Sequence, residues 1–314
     1  MHTINLRSHI KSWRVYKHAR INAICFSAAA LFLSLGVQAE ISMVGEIQPI
    51  SKAAVLNTTV LVNKMGASEV PLLDKFTPEF SEQQNIQFIL KQAVYHTPNL
   101  DITSEYLDAY KSKTPLDKID LSRLKLHPII AVINSAKVIS DSDMGQKLDK
   151  ELSAEFGDDK SGNYKLRLEQ GKINIIKKAN PLIIKLSEHY GISILLESAI
   201  YVDPSYDITQ DMIRVLNGQA NIEQLQIPLA FTKPEKVAGL DGKKYLELFK
   251  ASDQEKILKE GNQAIKEISI QQGIGVVLSA AVYCSPSIDI TDLVINLVKK
   301  KMDVDSQSNQ IKKK

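Results

Sequence analysis

Few residues of this chain have the type and spacing that chemistry needs. Past position 40 the histidines are His96, His127 and His189, scattered and without metal-ligand spacing. Asp158-Asp159-Lys160-Ser161-Gly162-Asn163 opens like a calcium loop but lacks alternating ligands and the closing Glu. Gly273-Ile274-Gly275 is half of a dinucleotide fingerprint and precedes a strand-like run instead of following one. No Ser or Cys stands in a nucleophile motif with a base nearby. The reading is a non-enzyme with no catalytic residues, no metal and no cofactor.

What recurs is a pattern. Phe88–Thr103, Ile194–Thr209 and Val276–Thr291 align without a gap and share Ala-[Val/Ile]-Tyr-x-x-Pro-x-x-Asp-Ile-Thr. Six positions are identical in all three copies, whereas a given residue type occurs at roughly one position in twenty. The recurring residues are Tyr95, Pro98, Asp101 and Thr103; Tyr201, Pro204, Asp207 and Thr209; Tyr283, Pro286, Asp289 and Thr291. Their expected role is structural, with each Tyr a packed strand residue whose hydroxyl sits at a rim.

The elements that position them follow from the same residues. Ile192, Ile194 and Leu196 alternate with Ser193 and Glu197 around Leu195, which predicts a strand. Glu197-Ser198 is a turn, and Ala199-Ile200-Tyr201 a second short β-prone run. Pro204 lacks a ladder N–H, so the chain leaves the sheet there. Thr209 is placed to cap a helix whose first turn carries Asp211. Upstream β-like runs at Thr59–Asn63, Ile129–Asn134 and Ile227–Phe231 supply an opening strand for each unit. Such a unit is too small to bury a core alone. The predicted fold is therefore α+β: three repeated strand-strand-helix units closing a shared small β-barrel-like body with pseudo-threefold arrangement.

The first 39 residues are of another kind. Arg7, Lys11, Arg14, Lys17 and Arg20 occur with no Asp or Glu, followed by an apolar stretch from Ile21 to Val37 and then Gln38-Ala39. This is the order of a secretory signal cleaved before Glu40, in a stretch shorter than the roughly 20 residues that span a bilayer. A mitochondrial presequence and an uncleaved anchor are the rival readings; the unbroken apolar block with its small-x-small end argues against the first. The whole chain has 39 basic and 36 acidic residues, or +3; without the leader's five basic residues the balance is 34 against 36, near −2. Such a balance predicts no nucleic-acid footprint. The Lys-rich tail reads as a solvated charge run rather than a membrane contact. Cleavage leaves one cysteine, Cys284, expected to be buried, so no internal disulfide forms.

The stretch Ile173–Asn217 resembles a known family. Asn180-Pro181 inside a helix, Tyr190-Gly191-Ile-Ser-Ile-Leu-Leu, Ser198-Ala-Ile-Tyr201, Asp203-Pro204 and Asp207-Ile-Thr209 look like the C-terminal half of the Skp/OmpH periplasmic chaperones. Ile129–Asn134 looks like that family's opening strand; the outer units match mainly through the motif. Family members are trimers whose chains share a β body and send helical hairpin arms downward to cage unfolded outer-membrane proteins. The resemblance implies three body units in one chain, a covalent pseudo-trimer, in the periplasm. The expected divisions are a signal peptide at 1–39, an almost armless first unit at 40–116, a second unit with a hairpin arm at 124–218, a third unit with one long helix at 223–301, and a disordered Lys-rich tail at 302–314.

The arm departs from the family pattern. Only the middle unit has room for a coiled-coil hairpin, Ser142–Phe156 and Tyr164–Tyr190 around a turn at Gly157–Gly162. Leu168, Ile175, Ala179, Leu182, Leu186 and Tyr190 form its helical stripe. The third unit offers Asp253–Gln272, and the first only Pro71, Pro78 and a polar stretch. The expected function is a holdase-type chaperone for unfolded outer-membrane or exported proteins, with Leu168 and Ile175 touching clients. The alternative is a structural or adaptor protein of the envelope that kept the body and lost the cage. Either way the expected state is a monomer without a stable membrane span after cleavage.

Overall fold

The computed structural model describes residues 46–65, 73–91, 93–246, 254–279 and 281–311. The expected signal peptide lies outside the described residues. In chain order the strands are β1 Ala53–Val55, β2 Phe88–Leu90, β3 Tyr95–His96, β4 Ile130–Val132, β5 Ile194–Leu196, β6 Tyr201–Val202, β7 Val237–Gly239, β8 Val276–Leu278 and β9 Ala281–Cys284. The helices are α1 Thr58–Met65, α2 Leu73–Gln83, α3 Thr103–Ser112, α4 Ser135–Asp141, α5 Asp143–Phe156, α6 Gly162–Tyr190, α7 Thr209–Leu216, α8 Gly242–Leu246, α9 Gln254–Gln272 and α10 Thr291–Ile311.

The strands form three three-stranded sheets, β1-β2-β9, β4-β5-β3 and β7-β8-β6. In each, the central strand is the start of a motif copy and pairs in parallel with the opening strand of its own unit. Its other edge takes an antiparallel strand from a different unit. Tyr95 of the first unit pairs with Leu195 of the second, Tyr201 of the second with Val277 of the third, and Tyr283 of the third with Ile89 of the first. The exchange runs in one sense and returns to its start. The two β-prone runs of one motif copy therefore do not fold back on each other as a hairpin. Among the described residues the sheets stay separate, and no strand pairing joins them into a closed barrel.

The two parallel strands of every sheet are buried on both faces. Ala131 and Leu195 sit in a cluster with Ala179, Ile183, Leu186, Ile208 and Met212, so this face packs under α6 and α7. The opposite face turns toward the other sheets by the two-residue alternation of a strand. A Cβ built on Gly239 would lie 3.5 Å from Phe88 Cε2 and 2.2 Å from Cys284 Sγ, both in the first sheet. Phe88, Leu90, Ile194, Leu196, Val276 and Leu278 are all buried there.

Several expectations are corrected. Thr59–Asn63 lies within α1, because the Asn57 side chain accepts the Val60 N–H (3.1 Å) and starts a helix there; the opening strand is Ala53–Val55. Ile227–Phe231 passes through an extended Pro228 into a short 3-10 turn, Leu229–Thr232, and the third opening strand is Val237–Gly239. The first unit is not bare between its strands: it holds α1 and α2, with Pro78 inside α2. The tail is helical to Ile311, since no Gly or Pro interrupts α10 after Thr291. Cys284 is only partly buried.

The helix that feeds each central strand ends alike. Asn85, Gly191 and Gly273 have φ of 53°, 68° and 67°, and the N–H groups of Ile86, Ile192 and Ile274 return to the carbonyls of Ser81, Ser187 and Ser269 (2.8–2.9 Å). This left-handed stop turns the chain from helix into sheet. It gives Gly273 its role, while Gly275 leaves room for the Tyr206 ring, whose Cε2 would be 2.4 Å from a Cβ there.

Candidate functional site

The motif residues meet at three equivalent junctions. In the middle unit the Asp207 carboxylate accepts the Thr209 N–H (2.9 Å) and the Thr209 hydroxyl (2.5 Å). The Thr209 Oγ1 in turn accepts the N–H of Asn134 (2.8 Å), whose side chain accepts the Lys137 N–H (2.9 Å) and starts α4. The Ile208 N–H reaches the Val132 carbonyl (3.0 Å) and closes the free edge of β4. The third unit repeats this with Asp289, Thr291 and Asp241; in the first, Thr103 gives its N–H to Asp101 (2.9 Å) and its Oγ1 accepts the Asn57 N–H (2.9 Å). Thr sits in the first helical turn rather than as the cap expected; the preceding Ile208 is the cap residue. The motif thus welds the end of the opening strand to the start of the helix behind it. Its chemistry is structural.

Pro98, Pro204 and Pro286 each begin a 3-10 turn. The tyrosines are half-buried, and burial raises each phenol, with Glu188 adding to Tyr95, Asp203 to Tyr201 and Glu82 to Tyr283. Glu188 and Glu82 belong to the helix of the unit that receives the strand, so the Tyr strand packs across the boundary between units. Burial also pushes the Cys284 thiol up to about 12, with Asp289 adding, so this lone cysteine is a poor nucleophile.

Beside the first junction an open cleft of about 360 Å³ is lined by Asn57, Asp101, Ser104 and Arg123. The Arg123 guanidinium is already committed to the carbonyls of Asn99 (2.6 Å) and Asp101 (2.7 Å) and to the Glu105 carboxylate. Among the described residues no group of His, Cys, Asp and Glu is placed to hold a metal, and no helix is long and apolar enough to cross a membrane.

The arm of the middle unit is the pair α5 and α6. Ser142 caps α5 by accepting the Gly145 N–H (3.1 Å), and Gly157 (φ 54°) ends it. Phe156 and Tyr164 meet edge to face at 5.9 Å across the tip. Farther down, Gly171 admits the Leu148 side chain, whose methyls would stand 2.4 Å from a Cβ there. Leu168 keeps part of its surface, but Ile175 is 2% exposed, so it offers a client nothing; its stripe faces the neighbouring helices. The large apolar side chain most open to solvent on the arm is Leu166, 58% exposed, one turn from the tip and outside the stripe. Sequence periodicity passes over it because it stands among Lys165 and Arg167.

Comparison with family models, with curated proteins and with solved structures finds no match.

Proposed function

We propose that this chain is a covalent pseudo-trimer of Skp/OmpH-like units that works in the periplasm as a holdase for unfolded outer-membrane or exported proteins. The observation that carries the reading is the cyclic exchange of Tyr strands among three units, combined with a two-helix arm issuing from between the paired strands of the middle one. A body closed within one chain needs no further copies, so the protein acts as a monomer. Clients are held by weak apolar contact near the arm tip, around Leu166 and Leu168, rather than inside a cage.

A second reading, a structural or adaptor protein of the envelope, is favoured by one observation: most of the arm's stripe is spent on its own packing, Ile175 included. The two are separated by diluting a denatured outer-membrane protein into buffer with the purified protein and following light scattering. Suppressed aggregation at near-stoichiometric ratio is expected. Aggregation as fast as in buffer would reject the holdase and leave the adaptor.

A further inference from the structure

The three units meet where their opening strands begin, and one carboxyl is buried at that meeting. Three positions before β1, β4 and β7 stand Ile50, His127 and Pro234; two positions before them stand Ser51, Pro128 and Glu235. The His127 N–H donates to the Ser51 carbonyl (2.8 Å), and the Ile50 N–H donates to the Glu235 carbonyl (3.0 Å). Each bond ties one unit to the next. The third bond of this ring would need an N–H from Pro234, which has none. At that gap the Glu235 side chain supplies the link between the third unit and the second: its Oε2 accepts the Ile130 N–H (2.7 Å).

The residue is 2% exposed, and Oε1 is buried without a hydrogen-bond partner. Among the described residues no cation is paired with it. Lys236, next in the chain, is turned to the Glu46 carboxylate (2.6 Å) and the Gln272 carbonyl (3.2 Å). From the neighbouring segments the ionisable groups are Tyr206, whose phenol burial raises to about 12 with Glu235 and Asp203 adding, and His127, whose Nδ1 is bonded to the Ile50 carbonyl (3.0 Å). An unpaired carboxylate is far more costly in such a place than a neutral acid.

We propose that Glu235 is a pH-sensitive latch: a neutral carboxylic acid that bridges the units at their junction and loosens the junction when it gives up its proton. Burial holds the group well above the ordinary glutamate range, and the Ile130 N–H opposes this only in part. The folded chain therefore keeps a proton that the unfolded chain releases above about pH 4.3. Stability is unaffected below that point and falls as pH rises from it, until the folded group ionises as well. Within the window the folding equilibrium constant drops by about tenfold per pH unit.

The test is urea unfolding of the full chain and of Glu235→Gln from about pH 5 to about pH 9. Gln keeps an acceptor for Ile130 but has no proton to lose, and contributions from other titrating groups cancel in the difference. The unmodified protein should lose stability relative to E235Q as pH rises, with the Ile130 amide exchanging faster than base catalysis alone explains. Parallel pH profiles for the two proteins overturn the proposal. Should E235Q not fold, the infrared spectrum of the unmodified protein decides: a protonated-carboxyl band at neutral pH that disappears on alkaline titration supports the latch, and its absence rejects it.

Discussion

Thr209 makes three bonds at its junction, two through its hydroxyl and one through its backbone N–H. Its hydroxyl donates to Asp207, the same oxygen accepts the Asn134 N–H, and its own N–H goes to Asp207. Valine has the same shape and none of the oxygen chemistry. Thr209→Val should therefore cost about 1–3 kcal/mol by leaving the Asn134 N–H without an acceptor. Urea midpoints read the cost, and faster hydrogen exchange at Asn134 locates it. An unchanged midpoint would mean that water replaces the hydroxyl. The Asp-Ile-Thr run was legible in the sequence as a helix start because Asp and Thr favour such places. The partner of the Thr hydroxyl was not, since Asn134 lies 75 positions away.

At the scale of elements, long apolar runs mark their own structure. The hairpin and the central strands fall where expected. The outer opening strands are hidden in the sequence because Ala53-Ala54-Val55 and Val237-Ala238-Gly239 look too small for strands, while Thr59–Asn63 and Ile227–Phe231 are richer in β-branched or large apolar residues. Small side chains are needed there: Ala54, Ala131 and Ala238 are fully buried, and Ala131 packs under α6 and α7. The signal that could have found these strands is an Ala followed three positions on by Asn57, Asn134 or Asp241. Burial also divides the arm. Leu166→Gln, alone or with the half-buried Leu168→Gln, should weaken client holding, and the change at exposed Leu166 should leave the unfolding free energy within about 0.5 kcal/mol. Ile175→Ala and Leu186→Ala should each cost about 2–5 kcal/mol, as for core positions. Aggregation assays and urea melts on these variants check both halves; tip variants that hold clients as well as the parent would leave the arm a packing element.

At the scale of the whole molecule, every sheet depends on two units. Among the described residues none of the three sheets is complete within its own unit. Removing residues 223–314 would strip β9 from β2 and leave β6 without β8. Open edges of this kind recruit other chains. The intact protein should be a monomer by light scattering with a single unfolding transition, and the truncated one should associate or fail to fold. A homotrimer of the intact chain would contradict the closed arrangement.

The pairing of β2 with β9 also sets a clock. It joins Phe88 to Cys284, about 200 positions apart, and contacts so distant in sequence form late because a long loop must first be closed. At a synthesis rate of about 5–20 residues per second, β2 is made some 10–40 s before the strand that covers it. Throughout that interval Phe88-Ile89-Leu90 is an uncovered apolar edge. A protein read as a guardian of unfinished β-strands thus begins as one of them, dependent on whatever keeps nascent chains apart until its last strand arrives.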